Sequence, residues 1–460
     1  MTDLIVASNR GPLSFAFDDA GGLVTRRGSG GLVNTLGAAV AGTGALWVSS
    51  AITDADRAAA GQVVEAEGFR SLSLVIDSAT YRCYYDVIAN GVLWYLHHNL
   101  YDVPRRPRFD RHVREAWTAY REVNEAFARA IADHASDGAI VLVHDYHLAL
   151  AGRALNEFRP DLRVVHFHHT PFTNAFGIRM LPELIASELV EGMTYYRACG
   201  FHSYRWVRSF ESACAEVIGA ERVPATYVAP AAPDLDEVVR VAASEAGREA
   251  LARLDGEVGD RLVIVRVDRI EPSKNLLRGF HAYDLLLEEK PEWRERVVFA
   301  AFLYPSRDTL SDYQAYAAES SALADHVNAK WGTATWTPIL LDTVDDFVRS
   351  VAALRRADVL LVNPVRDGLN LVAKEGVAVN ERNGVLVLSR EAGAYDELGA
   401  ASLGINPFDV AATADALDRA LSMNSDERQA RMAALREAVW RRRPSDWLDD
   451  QLRAARGDPH

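Results

Sequence analysis

The segment VRVDRIEPSKN places Arg269 and Lys274 just beyond the apolar run RLVIV. A guanidinium fork and an ammonium beside a helix start could neutralise a diphosphate and stabilise the charge that grows on it as a leaving group. Pro272 and Ser273 suit such a helix start, with Ser273 as the candidate N-cap. Alone, the pair could equally be solvated charges flanking a loop. A second segment, VNPVRDGLNLVAKE, decides between the two readings. Here an apolar run breaks at Gly368 and restarts as a helix. The glycine permits a tight turn, after which the N–H groups around Asn370, Leu371 and Val372 face outward from the helix start toward an anion. Asp367 is a poor phosphate ligand and a good acceptor for sugar hydroxyls, and Glu375, one turn beyond Leu371, suits a ribose diol. The plain alternative is an ordinary strand-turn-helix capped by Asp367.

The first half of the chain has its own polar loops. HDYH follows the run AIVLV and HHTPF follows RVVHF, so Asp145 and His169 each stand just past a strand end. The histidines His144, His147, His168 and His169 raise a metal site as an alternative, but no Glu or Cys joins them at a recognised ligand spacing, and sugar binding is the better reading. SNRGP brings Arg10 to the end of the first strand, and GSGGL supplies a glycine turn at Gly30 and Gly31.

Holding these residues requires strands that all end at the same edge. Short β-branched runs alternate with longer amphipathic stretches along the chain, the pattern of βαβ units around parallel sheets. LIVAS, ALWVSS, AIVLVHD, RVVHFHH and ACGFHS form one set; RLVIVRVD, RVVFAAF, DVLLVNP and GVLVLS form a second. A Pro- and Ala-rich connection followed by a charged helix separates them, so we expect two doubly wound, Rossmann-like α/β domains facing a ligand cleft, with the boundary near residue 235. After GINPF the chain reads as helices only, and no fixed-period repeat or low-complexity tract is present.

Bulk properties narrow the partners. The 460 residues are 49% hydrophobic, enough for more than one core, and 64 acidic against 50 basic residues give a formal charge of -14 that repels nucleic acid. Three cysteines, Cys83, Cys199 and Cys214, form no C-x-x-C pair, so neither a disulfide framework nor a zinc site is indicated. With no signal-like start and no membrane-length apolar run, the expectation is an unprocessed cytoplasmic protein.

Taken in order, SNRGP, GSGGL, YDVIANGVLW, VHDYHLAL, HHTPF, LPE with GFHSYRWVRSF, VDRIEPSKN, YPSR and RDGLNLVAKE resemble the trehalose-6-phosphate synthases, retaining glycosyltransferases of the GT-B type, over nearly the whole chain. The resemblance implies an acceptor-binding domain at 1–235, a nucleotide-sugar-binding domain at 236–440, and a C-terminal helix at 441–460 packing back on the first. It implies a catalytic set of Arg269, Lys274, Asp145 and His169. Arg269 and Lys274 would hold the donor diphosphate, helped by the amides of Leu371 and Val372 and by Gly30 and Gly31. Asp367 and His169 would hold the glucose hydroxyls, Leu369 and Asn370 would complete the donor turn, and Glu375 would bind the ribose. Glucose 6-phosphate would lie on Arg10, Arg307, Tyr85, Trp94 and Asp145. No cofactor and no metal are implied. The mechanism implied is front-face attack assisted by the leaving diphosphate, with UDP-glucose or GDP-glucose as donor and a separate phosphatase acting on the product. Where that family has LDYSKG and KEYV, this chain has IEPSKN and KEGV, so Pro272 and Asn275 alter the turn beside Lys274. The alternatives are a related pseudo-glycosyltransferase with another donor or an acceptor such as a cyclitol, and an inactive sugar-phosphate sensor. The sequence leaves the oligomeric state open.

Overall fold

The computed structural model describes residues 1–28, 31–307 and 310–458. Two compact units result: Met1–Ala231 together with the residues from Pro444 onward, and Ala232–Arg443.

In the first unit, β1 (Thr2–Ala7), the hairpin β2 (Leu13–Phe17) and β3 (Leu23–Arg27), β4 (Leu46–Ser50), β5 (Val63–Ala66), β6 (Phe69–Leu74), β7 (Ala135–His144), β8 (Arg163–His168), β9 (Cys199–Phe201) and β10 (Thr226–Val228) follow in chain order. The main sheet runs β10-β9-β8-β7-β1-β4-β6-β5 and is parallel except for β5. Strands leave β1 in one direction through β4 and β6 and resume on its other side with β7, so the order reverses between β1 and β7. Outside the carboxyl ends of those two strands lies the crevice where doubly wound sheets bind ligands. The residues that follow them are Ser8-Asn9-Arg10 and Asp145.

The second unit repeats this plan. Its strands are β11 (Leu262–Arg269), β12 (Val297–Tyr304), β13 (Ile339–Asp342), β14 (Val359–Val362), β15 (Val385–Ser389) and β16 (Leu403–Ile405). They form an all-parallel sheet in the order β13-β12-β11-β14-β15-β16. The reversal falls between β11 and β14, and the loops leaving those strands carry Arg269–Lys274 and Asp367–Asn370. Ile264, Val265, Val359, Leu361 and Val387 are fully or almost fully buried, as expected for strands covered on both faces.

A buried charge pair, Arg266 and Asp268, interrupts that apolar sheet. Arg266, in the middle of β11, is 0% exposed. Its Nε donates to Asp268 Oδ2 (2.9 Å), and its Nη2 donates to the Lys274 carbonyl (2.6 Å) and to Asn363 Oδ1 (2.8 Å). Asn275 Nδ2 in turn donates to the carbonyls of Asn363 (2.9 Å) and Pro407 (2.8 Å). This network ties the loop after β11 to the end of β14. Packing is tight enough that a Cβ on Gly279 would meet Arg266 Nη1 at 2.5 Å. Burial lifts the Asp268 carboxyl above its usual range even with Arg266 alongside.

The helix Pro444–Arg456 packs within the first unit on the helix Gly31–Val40, on β8 and on β7. It places the fully buried Trp447 against Phe167 (5.0 Å between ring centroids), His169 (5.5 Å) and His144 (5.8 Å). No described helix is long and apolar enough to cross a membrane.

Removing Arg266 leaves Asp268 buried without its partner, so Arg266→Met is expected to destabilise the Ala232–Arg443 unit by about 3–5 kcal/mol in urea unfolding. A loss below about 1 kcal/mol would show that the network does not depend on the charge pair.

Candidate active site

Each unit carries its own group of candidate residues. In the second, the ladder of β11 continues one step past the strand, with Ile270 N–H donating to the Tyr304 carbonyl (2.8 Å). Arg269 therefore leaves the sheet edge in a fixed direction, with 45% of its side chain exposed. Pro272–Lys274 forms a single 3-10 turn, and the helix proper spans Leu276–Glu289. Ser273 is not its N-cap, contrary to expectation. Asn275 occupies that position in the left-handed region (φ 62°), and the Ser273 hydroxyl donates instead to Glu271 Oε2 (3.5 Å). The reason is local: Asn275 both tolerates a positive φ and anchors the turn to Asn363 and Pro407, a stronger demand than capping.

Lys274 Nζ lies 2.5 Å from Asp367 Oδ2, and both side chains are mostly buried. Burial works against the Lys274 charge, but the carboxylates of Asp367 and Asp268 outweigh it and raise its pKa. Asn370 Nδ2 also donates to Asp367 Oδ2 (3.2 Å), while Asn370 Oδ1 accepts from Ala373 N–H (3.1 Å) and caps the helix Leu371–Val379. The left-handed conformation in this turn falls on Asn370 (φ 80°), two residues after the glycine. Leu371 and Val372 open the helix, where backbone N–H groups have no carbonyl partner inside the helix. Leu369 is buried, and its carbonyl accepts from Ala394 N–H (2.8 Å). The turn is backed by Gly393, whose Cβ, if it had one, would lie 1.9 Å from the Gly368 carbonyl oxygen. Glu375 follows on the same helix with its side chain mostly buried, and that burial pushes its carboxyl up to about 7.

Glu271 was not among the residues singled out from sequence, yet it organises this group. It is 1% exposed, and its Oε1 accepts from Arg269 Nε (3.1 Å), Arg307 Nη1 (3.1 Å) and Ser306 Oγ (3.0 Å). Arg307 also donates to the Tyr313 hydroxyl (2.7 Å) and sits at φ 48°. The Glu271 carboxylate raises the Arg269 pKa further.

In the first unit Asp145 leaves β7 at φ 71°, a strained conformation for a residue with a side chain. Its Oδ1 accepts from Tyr146 N–H (3.0 Å) and from His169 N–H (3.4 Å), joining the loops after β7 and β8. His147 Nδ1 stands 3.7 Å from Asp145 Oδ2. His144 Nδ1 and His169 Nε2 share a hydrogen bond of 3.0 Å, and burial lowers the His169 pKa to about 3, so the imidazole is neutral. Among the described residues no group of three or more His, Cys, Asp or Glu is placed to hold a metal ion. The histidines are instead packed in an aromatic layer with Tyr146, Phe172 and Trp447.

Arg10 is exposed beyond β1, and the buried Asn9 beside it fastens the loop by bonds to the hydroxyls of Tyr81 (3.1 Å) and Tyr84 (3.2 Å). Tyr81 precedes, and Tyr84 lies in, a π-helix, Cys83–Leu93, closed by Trp94 N–H donating to the Ala89 carbonyl. Tyr85 lies stacked between Tyr81 (5.4 Å) and His147 (5.7 Å), while Trp94 is 2% exposed. Gly31 begins the helix Gly31–Val40; Gly30 lies outside the described residues.

Clustered cations and a helix start at one switch point, and polar and aromatic groups around another, in a chain of two Rossmann-like units, define a glycosyltransferase of the GT-B architecture. Crystallised proteins share it across the chain. A trehalose-6-phosphate protein from E. coli, described as bound with UDP-2-fluoro glucose, is 28% identical with a TM-score of 0.86 over 98% of both chains. An alpha,alpha-trehalose-phosphate synthase (UDP-forming) from Burkholderia xenovorans, described as in complex with glucose-6-phosphate, is 28% identical with a TM-score of 0.85 over 99% of this chain and all of that one. The profile of glycosyltransferase family 20 matches residues 2–456, and the chain belongs to that family, that of the trehalose-6-phosphate synthases. An alpha,alpha-trehalose-phosphate synthase (UDP-forming) of Schizosaccharomyces pombe is 32% identical over 93% of this chain and 85% of its own length. The chain spans only 40% of a longer Arabidopsis thaliana relative.

Burial raises the Glu375 pKa from the usual 4.5 to about 7, so the folded state holds this proton more tightly than the unfolded one. Stability from this group is complete below about pH 4.5 and is lost as pH rises through about 7. Glu375→Gln, which cannot ionise, is therefore expected to melt above the wild type at pH 8, with the gap closing toward pH 5. A gap independent of pH over that range would contradict the burial of this carboxyl.

Proposed function

We propose that the protein transfers glucose from a nucleotide-glucose to glucose 6-phosphate, forming alpha,alpha-trehalose 6-phosphate with retention at the anomeric carbon. The observation that carries this reading is the meeting of Arg269, Lys274 and the start of the helix Leu371–Val379 at the switch point of the second sheet. Two cations and exposed amides suit a nucleoside diphosphate as it departs. UDP-glucose and GDP-glucose are the candidate donors, and similarity to a structure bound with UDP-2-fluoro glucose favours the first.

The remaining roles follow from the chemistry of each group. Asp367, already an acceptor for Lys274 and Asn370, takes hydrogen bonds from glucose hydroxyls, as does the neutral His169. Glu375 takes the ribose diol, and Gly30 and Gly31 are assigned to the donor. Arg10 and Arg307 are assigned to the acceptor phosphate, with Tyr85 and Trp94 beside the sugar ring and Asp145 orienting its hydroxyls. Retention by double displacement needs a carboxylate free to attack the anomeric carbon. Asp367, held by Asn370 and assigned to the glucose hydroxyls, and Asp145, held by two backbone N–H groups, are both engaged as acceptors. Front-face attack, with the leaving diphosphate taking the acceptor's proton, asks of the protein only charge and alignment. A phosphatase activity would consume the product.

Incubation with glucose 6-phosphate and a panel of nucleotide-glucoses is expected to yield trehalose 6-phosphate from at least one donor. Lys274→Ala should cut turnover roughly 100-fold, about 3 kcal/mol, with glucose 6-phosphate binding retained. Absence of any disaccharide phosphate across the panel defeats the reading.

A further inference from the structure

We propose that Glu271 is a positioning residue that serves both substrates at once, its single Oε1 fixing the guanidinium assigned to the departing diphosphate, Arg269, and the one assigned to the acceptor's phosphate, Arg307. This rests on the functional reading above. The strands bring the two arginines into range: β11 and β12 pair in register, with Arg269 opposite Tyr304 and Arg307 just beyond it. Two like charges held there repel one another, and the carboxylate between them makes the approach tolerable. The contact is made by one oxygen, at 3.1 Å to each arginine, with Ser306 Oγ at 3.0 Å as a third donor. The Glu271 carbonyl also accepts from the Lys274 backbone N–H (3.0 Å), so the same residue fixes the turn that carries the lysine.

Its burial separates its role from theirs. Glu271 is 1% exposed, whereas the Arg269 side chain is 45% exposed and that of Arg307 12%. It orders the cations from beneath and offers no surface to a ligand. Replacing it with glutamine keeps the shape and removes the charge. The arginines then lose their common anchor while the local positive potential rises, so anions bind at least as well but in poorer alignment. Such a residue is read out as lower turnover without weaker binding. A residue needed only for folding would weaken both anion sites together.

The test compares full-length wild type, Glu271→Gln and Glu271→Asp for kcat, KM of each substrate, thermal midpoint, and binding of inorganic pyrophosphate by calorimetry at low salt. In Glu271→Gln, kcat is expected to fall by about tenfold or more, neither KM should rise, and pyrophosphate should bind at least as tightly as to wild type. Glu271→Asp, which restores the charge on a shorter arm, should recover part of kcat, and it carries the same comparison should the glutamine variant melt below assay temperature. A kcat within about twofold of wild type, or a loss of about tenfold in pyrophosphate affinity with both KM values rising, overturns the proposal. If the wild type makes no disaccharide phosphate, the functional reading fails, and pyrophosphate binding still decides the role of Glu271: equal or tighter binding to Glu271→Gln supports it, weaker binding overturns it.

Discussion

Positive charge concentrated at the end of one parallel sheet is the constraint on which the second unit is built. Arg269, Lys274 and Arg307 all emerge from loops at the carboxyl edge of neighbouring strands. Unpaired, three such groups would resist being brought together. The chain answers with carboxylates placed beneath or beside them, Glu271 for the arginines and Asp367 for the lysine. Each pair is partly withdrawn from water, so the partners are strongly coupled. On the proposed reading, a diphosphate would offer these cations a more highly charged partner and free Asp367 for sugar hydroxyls.

Holding that cluster in register requires more than strand ends. The buried Arg266–Asp268–Asn363–Asn275 network locks the loop after β11 to the end of β14, across the point where the strand order reverses. Left-handed backbone at Asn275, Arg307 and Asn370 in this unit, and at Asp145 in the other, shows where each loop is bent most sharply. Strain of this kind persists only where surrounding contacts over-determine the geometry. Here those contacts are side-chain bonds to backbone at Asn275, Asn370 and Asp145, and the Glu271 and Tyr313 contacts at Arg307.

How much of this was legible in the sequence depended on the physics of each element. Strands covered on both faces read as unbroken apolar runs, so β1, β4, β7, β8, β11, β12, β14 and β15 are evident, and with them the loops that carry Arg269, Asp367, Asp145 and Arg10. The two-unit, doubly wound class follows from the same runs. Short or edge strands such as β5, β10, β13 and β16, and the hairpin β2–β3, lack that signature because few residues are buried or one face meets solvent. The π-helix at Cys83–Leu93 was hidden for another reason: its period differs from the 3.6-residue pattern by which helices are recognised. Glu271 lies inside a quoted motif, but a carboxylate between cations reads as solvated until its burial is seen. Gly393 matters only through the Gly368 carbonyl it faces, a contact between distant segments that spacing does not encode.

The central claim, that these cations and the start of the helix Leu371–Val379 grip a nucleoside diphosphate, is tested most directly by a crystal structure with UDP or GDP bound. The account predicts the diphosphate oxygens within hydrogen-bond reach of Arg269, Lys274 and the amides of Leu371 and Val372, with Lys274 drawn from Asp367 toward phosphate. Nucleotide bound elsewhere, with Arg269 facing solvent and Lys274 still on Asp367, would contradict it.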